Sequence, residues 1–258
     1  MKKIISLIII TMNFSFCIWL TYEEAVLDSP FETASIGYKI TVPDEDAVII
    51  RGRGDNWRNW YKVNLIQNDT TLFLDSLAFN LKGNDLYVSS LEFSNDAKML
   101  LVRTDFKPIW RYSYSATYYL YDLMNKKLFP LSDENKDLRN VKFAPTSDRI
   151  AYVRQDNNIY VYDIKRDRER RLTTSGSEFV SNGHFGWLYE EELTGFDAYR
   201  WSPDGKSICY WEEDNSMVKD FSIIDDLAQY PTITKIKYPK AGETLSLIHI
   251  SEPTRLTS

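Results

Sequence analysis

The residues with the most unusual capacity for chemistry are three consecutive glutamates, Glu190, Glu191 and Glu192. Acidic runs are ordinarily solvated surface patches. Here Trp187 and Tyr189 precede the run, and we expect these aromatic side chains to be buried and to hold the segment rigid. Adjacent side chains on a helical turn diverge by about 100°, so two of the carboxylates can converge on one cation while the third points away. Neighbouring carboxylates repel each other and favour a positive guest, and an ammonium group with its three donors suits them.

A second candidate is Arg111, which lies in the aromatic segment 109–115. Its spacing leaves three roles open: stacking on a ring, extending its stem along apolar surface, or presenting its N–H donors to a carbonyl or carboxylate. His184 and His249 are the only imidazoles. The sequence has no Gly-x-Ser-x-Gly elbow, no metal-ligand spacing of His or Cys and no phosphate loop. We therefore predict no catalytic nucleophile, metal or cofactor in this chain.

The composition narrows the class of protein. The chain has 258 residues, of which 43% are hydrophobic and 26% are charged, and its formal net charge is −6. An acidic balance argues against a nucleic-acid partner. Two cysteines are too few for a disulfide scaffold, and a single long apolar stretch, at the start, excludes a polytopic membrane protein.

Short segments rich in Tyr, Val, Ile, Leu and Trp recur along the chain between turn residues, and they predict β-strands. The segments are 85–89, 99–103, 117–122, 150–154, 159–163 and 207–211. A turn motif that begins with an aromatic residue precedes three of the strands, at Phe93, Phe143 and Trp201, which lie 50 and 58 residues apart. A period of about 40–60 residues with four strands per unit is typical of a β-propeller.

The start of the chain predicts export. Lys2 and Lys3 are followed by apolar residues as far as Leu20, which indicates a signal peptide or signal anchor over 1–17; a strand or helix of the fold is the alternative. If this segment is removed, Cys209 is the only cysteine left. An exported protein without disulfides suits a periplasmic or other bacterial secreted location, or one anchored in the membrane by this segment.

Five segments follow one another along the chain as family motifs: 20–24, 110–116, 182–192, 200–206 and 237–242. They resemble the dipeptidyl peptidase IV group of the prolyl oligopeptidase clan. The segment 182–192 is close to the D-W-V-Y-E-E-E motif of that group, and 110–116 is close to W-R-H-S-Y-T-A. Gly186 stands where the family has Asp, and Leu188 stands where it has Val.

This resemblance implies an all-β fold, the N-terminal part of an eight-bladed β-propeller, with about four blades over 18–243. In the family an α/β-hydrolase domain follows, and this chain lacks it. The activity implied is that of a serine exopeptidase that releases X-Pro or X-Ala dipeptides from peptides with a free N-terminus. The catalytic Ser, Asp and His would lie beyond residue 258, so this chain alone is expected to be inactive. Family members often form homodimers.

The resemblance also assigns roles by position. Glu191 and Glu192 would bind the α-ammonium group of the substrate, Arg111 would hold a substrate carbonyl, and Glu190 would support the structure. Two alternatives remain, a catalytically dead homologue and a propeller interaction module. The intact glutamate pair favours a peptidase, because a dead scaffold has no need of an ammonium site.

The segment 244–258 departs from the family, in which further blades follow Gly242. It fits no blade motif and is similar to out-of-frame or adapter-derived sequence. We expect it to be an artefactual or truncated end of the propeller region.

Overall fold

The computed structural model describes residues 5–11, 14–20, 39–227, 229–243 and 247–255. The chain divides into two compact units, Met1–Tyr38 and Lys39–Ser258. In the first unit, strands β1 (Ile5–Thr11) and β2 (Phe14–Leu20) form an antiparallel pair. The signal peptide or anchor over 1–17 overlaps this pair and stays a prediction. Within the described ranges, no helix has the length and apolar character needed to cross a membrane.

The second unit consists of antiparallel sheets that follow one another along the chain. The first sheet contains β3 (Lys39–Thr41), β4 (Ala47–Arg51), β5 (Trp60–Asn64) and β6 (Asp69–Leu74). A small pair follows, β7 (Asn80–Leu81) with β8 (Asn84–Asp85). The second sheet contains β9 (Val88–Phe93), β10 (Met99–Pro108), β11 (Tyr114–Asp122) and β12 (Lys127–Pro130). The third contains β13 (Arg139–Phe143), β14 (Arg149–Val153), β15 (Ile159–Asp163) and β16 (Arg168–Arg171). Short 3-10 helices occupy Gly54–Asn56 and Ser76–Phe79.

The fourth sheet has a different strand order. Its elements are β17 (Val180–Asn182), helix α1 (Trp187–Leu193), β18 (Tyr199–Trp201) and β19 (Ser207–Asp214). Strand β19 pairs with β17, with β18 and with the last strand, β22 (Leu247–Arg255). Between them, β20 (Asp220–Asp225) and β21 (Thr232–Lys237) form a separate hairpin. Backbone pairing of 247–255 does not test the origin of 244–258, which stays a prediction.

The repeated turn motif has the same backbone structure in all three copies. In each copy the residue after the aromatic one donates its N–H to a carbonyl five residues later. These bonds join Ser94 to Met99, Ala144 to Arg149 and Ser202 to Ser207, at 2.9, 2.8 and 2.9 Å. The fifth residue of the motif has positive φ each time, 54° at Ala97, 60° at Ser147 and 65° at Gly205. Turns of one geometry at a similar spacing connect β9 to β10, β13 to β14 and β18 to β19.

The core lies between the sheets, because alternate residues of a strand face opposite sides. In β10, Leu100 and Val102 belong to the apolar cluster shared with the first sheet, whereas Leu101 belongs to the cluster shared with the third. In β14, Tyr152 faces the second sheet and Val153 faces the fourth. Sheets that are buried on both faces in this way form the stacked blades of a propeller. The predicted all-β propeller fold is confirmed.

One predicted strand is not a single strand in the structure. The segment 85–89 is divided, because β8 ends at Asp85 and β9 begins at Val88. The N–H of Leu86 donates to the carbonyl of Phe79 at 2.9 Å, which turns this part of the chain toward β7. The strand predicted over 159–163 is confirmed as β15.

Candidate functional site

Helix α1 carries the three glutamates, and aromatic side chains hold it in place. Phe185, just before the helix, stacks on Tyr189 with ring centroids 5.1 Å apart and packs against Trp211 of β19 at 5.9 Å. Trp187 packs on Tyr238 at 5.2 Å. The aromatic residues that precede the glutamates therefore connect the helix to β19 and to the segment after β21.

Glu190 is the inward-facing member of the glutamate run. Its residue is fully buried, and its Oε1 accepts hydrogen bonds from the backbone N–H groups of Tyr112 and Ser113, the latter at 2.7 Å. Its Oε2 has no hydrogen-bond partner among the described residues. Glu190 therefore joins the helix of the fourth sheet to a loop of the second sheet.

That loop is the tip of the hairpin formed by β10 and β11. These strands are 10 and 9 residues long, whereas the equivalent strands β14 and β15 of the next sheet have 5 each. The tip is closed by the N–H of Ile109, which donates to the carbonyl of Ser113 at 2.9 Å. Lower in the hairpin, the guanidinium of Arg103 lies 4.7 Å from the ring centroid of Tyr114. The extra length carries the tip to helix α1.

Arg111, at this tip, faces the second glutamate. Its Nε donates to Oε2 of Glu191 at 2.9 Å, and the arginine side chain is 65% exposed whereas that of Glu191 is 19% exposed. The two Nη atoms make no hydrogen bond with any residue that the structure describes. Glu192 is exposed, and its carboxylate likewise has no polar partner in the described ranges. The structure thus brings Arg111, Glu190 and Glu191 together and leaves Glu192 open to solvent beside them.

A cavity of about 100 Å³ lies beside the site. Trp110, Arg139, Asn140, His184 and Phe196 are among its lining residues. Arg139 donates from Nη1 to Nε2 of His184 at 3.0 Å. Burial and the charge of Arg139 lower the pKa of His184 to about 3, so the imidazole is neutral near pH 7. His184 is therefore a structural acceptor for Arg139 in this arrangement.

Two features of the site have no signal in the sequence. The first is the pair of backbone N–H groups at Tyr112 and Ser113, because a side-chain motif does not reveal which backbone donors it meets. The second is Glu213 of β19, whose Oε2 accepts the N–H of Gly186 at 2.6 Å, 27 residues away in the chain. Across 39–227 and 229–243, no group of three or more His, Cys, Asp or Glu residues is arranged to hold a metal ion.

Comparison with known proteins gives a consistent match. Residues 94–251 match the family described as "Dipeptidyl peptidase IV (DPP IV) N-terminal region". The probable dipeptidyl-aminopeptidase B of Talaromyces marneffei is 34% identical over 221 residues, which cover 77% of this chain and 24% of the relative. The dipeptidyl aminopeptidase B of Saccharomyces cerevisiae is 32% identical over 223 residues, which cover 84% of this chain and 25% of the relative.

A solved structure agrees with the sequence relatives. The crystal structure of Porphyromonas gingivalis dipeptidyl peptidase 4 superimposes with a TM-score of 0.75 at 27% sequence identity, covering 87% of this chain and 32% of that one. The chain spans about a quarter of the length of the curated relatives that it matches. With its stacked four-stranded sheets and its family match over 94–251, the chain belongs to the dipeptidyl peptidase IV family, whose N-terminal region it contains.

Proposed function

We propose that this chain is the amine-anchoring and substrate-gating part of an exported serine exopeptidase that releases X-Pro or X-Ala dipeptides from peptide N-termini. The observation that carries the proposal is the position of Glu191 and Glu192 on helix α1, beside Arg111 and above the buried Glu190. The full-length protein would supply the catalytic Ser, Asp and His from an α/β-hydrolase domain. Export is proposed from the charged and apolar start of the chain.

The geometry suits a free α-ammonium group. The carboxylate of Glu191 holds one cation already, the guanidinium of Arg111, and an adjacent carboxylate at Glu192 is exposed. An ammonium group placed between them would donate charge-assisted hydrogen bonds to both. The unoccupied Nη donors of Arg111 would then be free to hold a substrate carbonyl. Anchoring the amine fixes which peptide bond reaches the nucleophile, so the pair acts as a ruler for dipeptide release.

The proposal is tested in the full-length protein with two Gly-Pro substrates, one with a free amine and one acetylated. We expect Glu191→Ala and Glu192→Ala each to lower kcat/KM for the free-amine substrate by at least about tenfold, because a hydrogen-bonded charge partner is lost. Both variants should leave the slow cleavage of the acetylated substrate unchanged. Glu178→Ala, at an exposed glutamate outside the site, is the matched control.

Two outcomes would contradict this proposal. If the full-length protein cleaves neither substrate, it is a dead homologue or an interaction module. If it cleaves both equally well, the glutamates do not bind the amine. A purified chain of residues 18–258, run in the same assay, should show no turnover.

A further inference from the structure

Glu213 is a buried carboxylate on β19 that contacts the backbone just before helix α1. Its residue on β19 is only 2% exposed, and burial raises its pKa. Its Oε2 accepts the N–H of Gly186 at 2.6 Å, and its Oε1 accepts Nδ2 of Asn215 at 2.9 Å. It forms no ion pair with any residue in the described ranges. A carboxylate removed from water in this way is costly unless its hydrogen bonds serve the fold or the site.

Gly186 is the residue from which helix α1 starts. No side chain caps this end of the helix, and the carboxylate from β19 instead accepts the N–H of Gly186 itself, which fixes the backbone where the helix begins. A Cβ atom on Gly186 would lie 3.2 and 3.4 Å from the two carboxylate oxygens of Glu213. Glycine is therefore what permits the close approach of the backbone to this carboxylate.

Helix α1 is seven residues long, and hydrogen bonds tie it to the sheets at two points. One is Glu213 at Gly186, and the other is the hairpin tip, where Glu190 accepts from Tyr112 and Ser113 and Glu191 accepts from Arg111. Loss of the first point would loosen the start of the helix, where the aromatic contacts of Phe185 and Trp187 would remain. Glu191 and Glu192, which follow Glu190 directly, would then move relative to Arg111.

We infer that Glu213 is a positioning residue for the amine site: its carboxylate holds Gly186 and thereby orients Glu191 and Glu192. The inference rests on the proposed function for its catalytic consequence. Its structural part, the link between Glu213 and the start of α1, can be measured without any activity.

The first test compares Glu213→Ala with Glu212→Ala in the full-length protein. Glu212 is the neighbouring residue on β19, and its carboxylate accepts from the hydroxyl of Ser175 instead of from Gly186. We expect amide exchange over 186–193 to rise at least about tenfold in Glu213→Ala only, because a hydrogen bond to a charged acceptor is lost. Glu213→Gln, which keeps an acceptor oxygen, should stay within about threefold of the wild type.

The second test moves the carboxylate from β19 to the helix start. Gly186→Asp alone should increase exchange over 186–193, since it places a second carboxylate against Glu213. In the Glu213→Ala background the same substitution should decrease exchange, because Asp is a strong N-cap residue. We therefore expect the effect of Gly186→Asp on amide exchange to change direction when Glu213 is replaced by Ala. This change of direction would not arise if Glu213 merely filled space.

The catalytic test measures kcat/KM for the free-amine and for the acetylated Gly-Pro substrate and takes the ratio of the first value to the second. Glu213→Ala should lower this ratio at least about fivefold, and adding Gly186→Asp should restore part of it. Equal exchange in Glu213→Ala and Glu212→Ala, or additive effects of Gly186→Asp and Glu213→Ala, would overturn the inference. If the wild-type protein is inactive, only the proposed function fails, and the exchange measurements still decide the role of Glu213.

Discussion

Glu190 combines two properties that rarely occur together, complete burial and the absence of a cationic partner among the described residues. Its Oε1 accepts the N–H groups of Tyr112 and Ser113. The first glutamate of the run therefore stabilises the contact between the hairpin tip and the helix, which leaves the second and third available for a ligand.

This role predicts different effects for two substitutions. Glu190→Ala should lower the free energy of unfolding by about 2–4 kcal/mol, because two backbone donors lose the buried carboxylate that accepts from them. Glu190→Gln keeps an acceptor oxygen and should cost less than about 1.5 kcal/mol. Urea unfolding of the two variants, with Glu178→Ala as the exposed control, provides the measurement. Equal losses for Ala and Gln would show that charge, rather than the acceptor, is what the site requires.

At the scale of elements, the site depends on two exceptions to the regular sheets. The β10–β11 hairpin extends beyond its sheet, and α1 is inserted between β17 and β18. The backbone closes the base of this insertion, since Phe185 donates its N–H to the carbonyl of Phe196 at 3.1 Å and Ala198 donates to Gly183 at 3.2 Å. Because these bonds close the base of the insertion, helix α1 is held in position although it is only seven residues long.

The regular strands could be predicted from the sequence, and these exceptions could not. Ile159–Asp163 was predictable because its residues are apolar or aromatic and turn residues bound it. The prediction over 99–103 stops too early, because β10 continues to Pro108 through residues 104–107. Thr104 and Lys107 pair with β11 on either side of a bulge, and Asp105, Phe106 and Lys107 are all exposed, so this part of the strand leaves no regular apolar pattern. Glu213 was missed for a related reason, since a contact between distant backbone and side-chain atoms has no local signal.

The end of helix α1 offers a prediction about strain. Thr194 follows the helix in the left-handed region, at φ 56° and ψ 23°, where β-branched residues are strained. Thr194→Gly should therefore raise the free energy of unfolding by about 1 kcal/mol, whereas Thr194→Ala should not. Thermal unfolding of both variants tests this, with Thr174→Gly as the control at an exposed threonine without positive φ. A loss of stability in Thr194→Gly would mean that the hydroxyl makes a contact worth more than the strain.

At the scale of the molecule, each sheet is a blade that becomes stable only by packing on its neighbours. Tyr152 and Val153 of β14 are both fully buried although they face opposite sides, so the third sheet is covered by the second and the fourth. The spacing of the aromatic turns predicted this stacking, because a repeat of about 40–60 residues cannot bury both faces of its sheet alone. The sequence did not predict that β20 and β21 form a hairpin separate from the fourth sheet, because their residue types are those of any blade strand.

That hairpin supports a proposal about assembly. All six residues of β20 are exposed, and Ile224 lies opposite Ile233 in the pair, each with 63% of its surface exposed. Exposed apolar pairs of this kind are typical of protein–protein contacts. We propose that the full-length protein forms a homodimer through β20 and β21, since a two-fold contact brings the same patch of each copy together.

The prediction is that Ile224→Lys combined with Ile233→Lys weakens the dimer at least about tenfold, because four charges would be buried in a two-fold interface. Ile66→Lys, at an apolar residue of the β5–β6 turn that is 76% exposed, should leave assembly unchanged. Light scattering after size-exclusion chromatography over a range of concentrations gives the dissociation constants. A wild-type monomer at all concentrations, or a dimer that survives the double substitution, would contradict the proposal. Substitutions on this hairpin should leave Arg111 and Glu191 in place, because no hydrogen bond or ion pair among the described residues joins either of them to β20 or β21. The variant monomer should therefore retain the selectivity for a free amine.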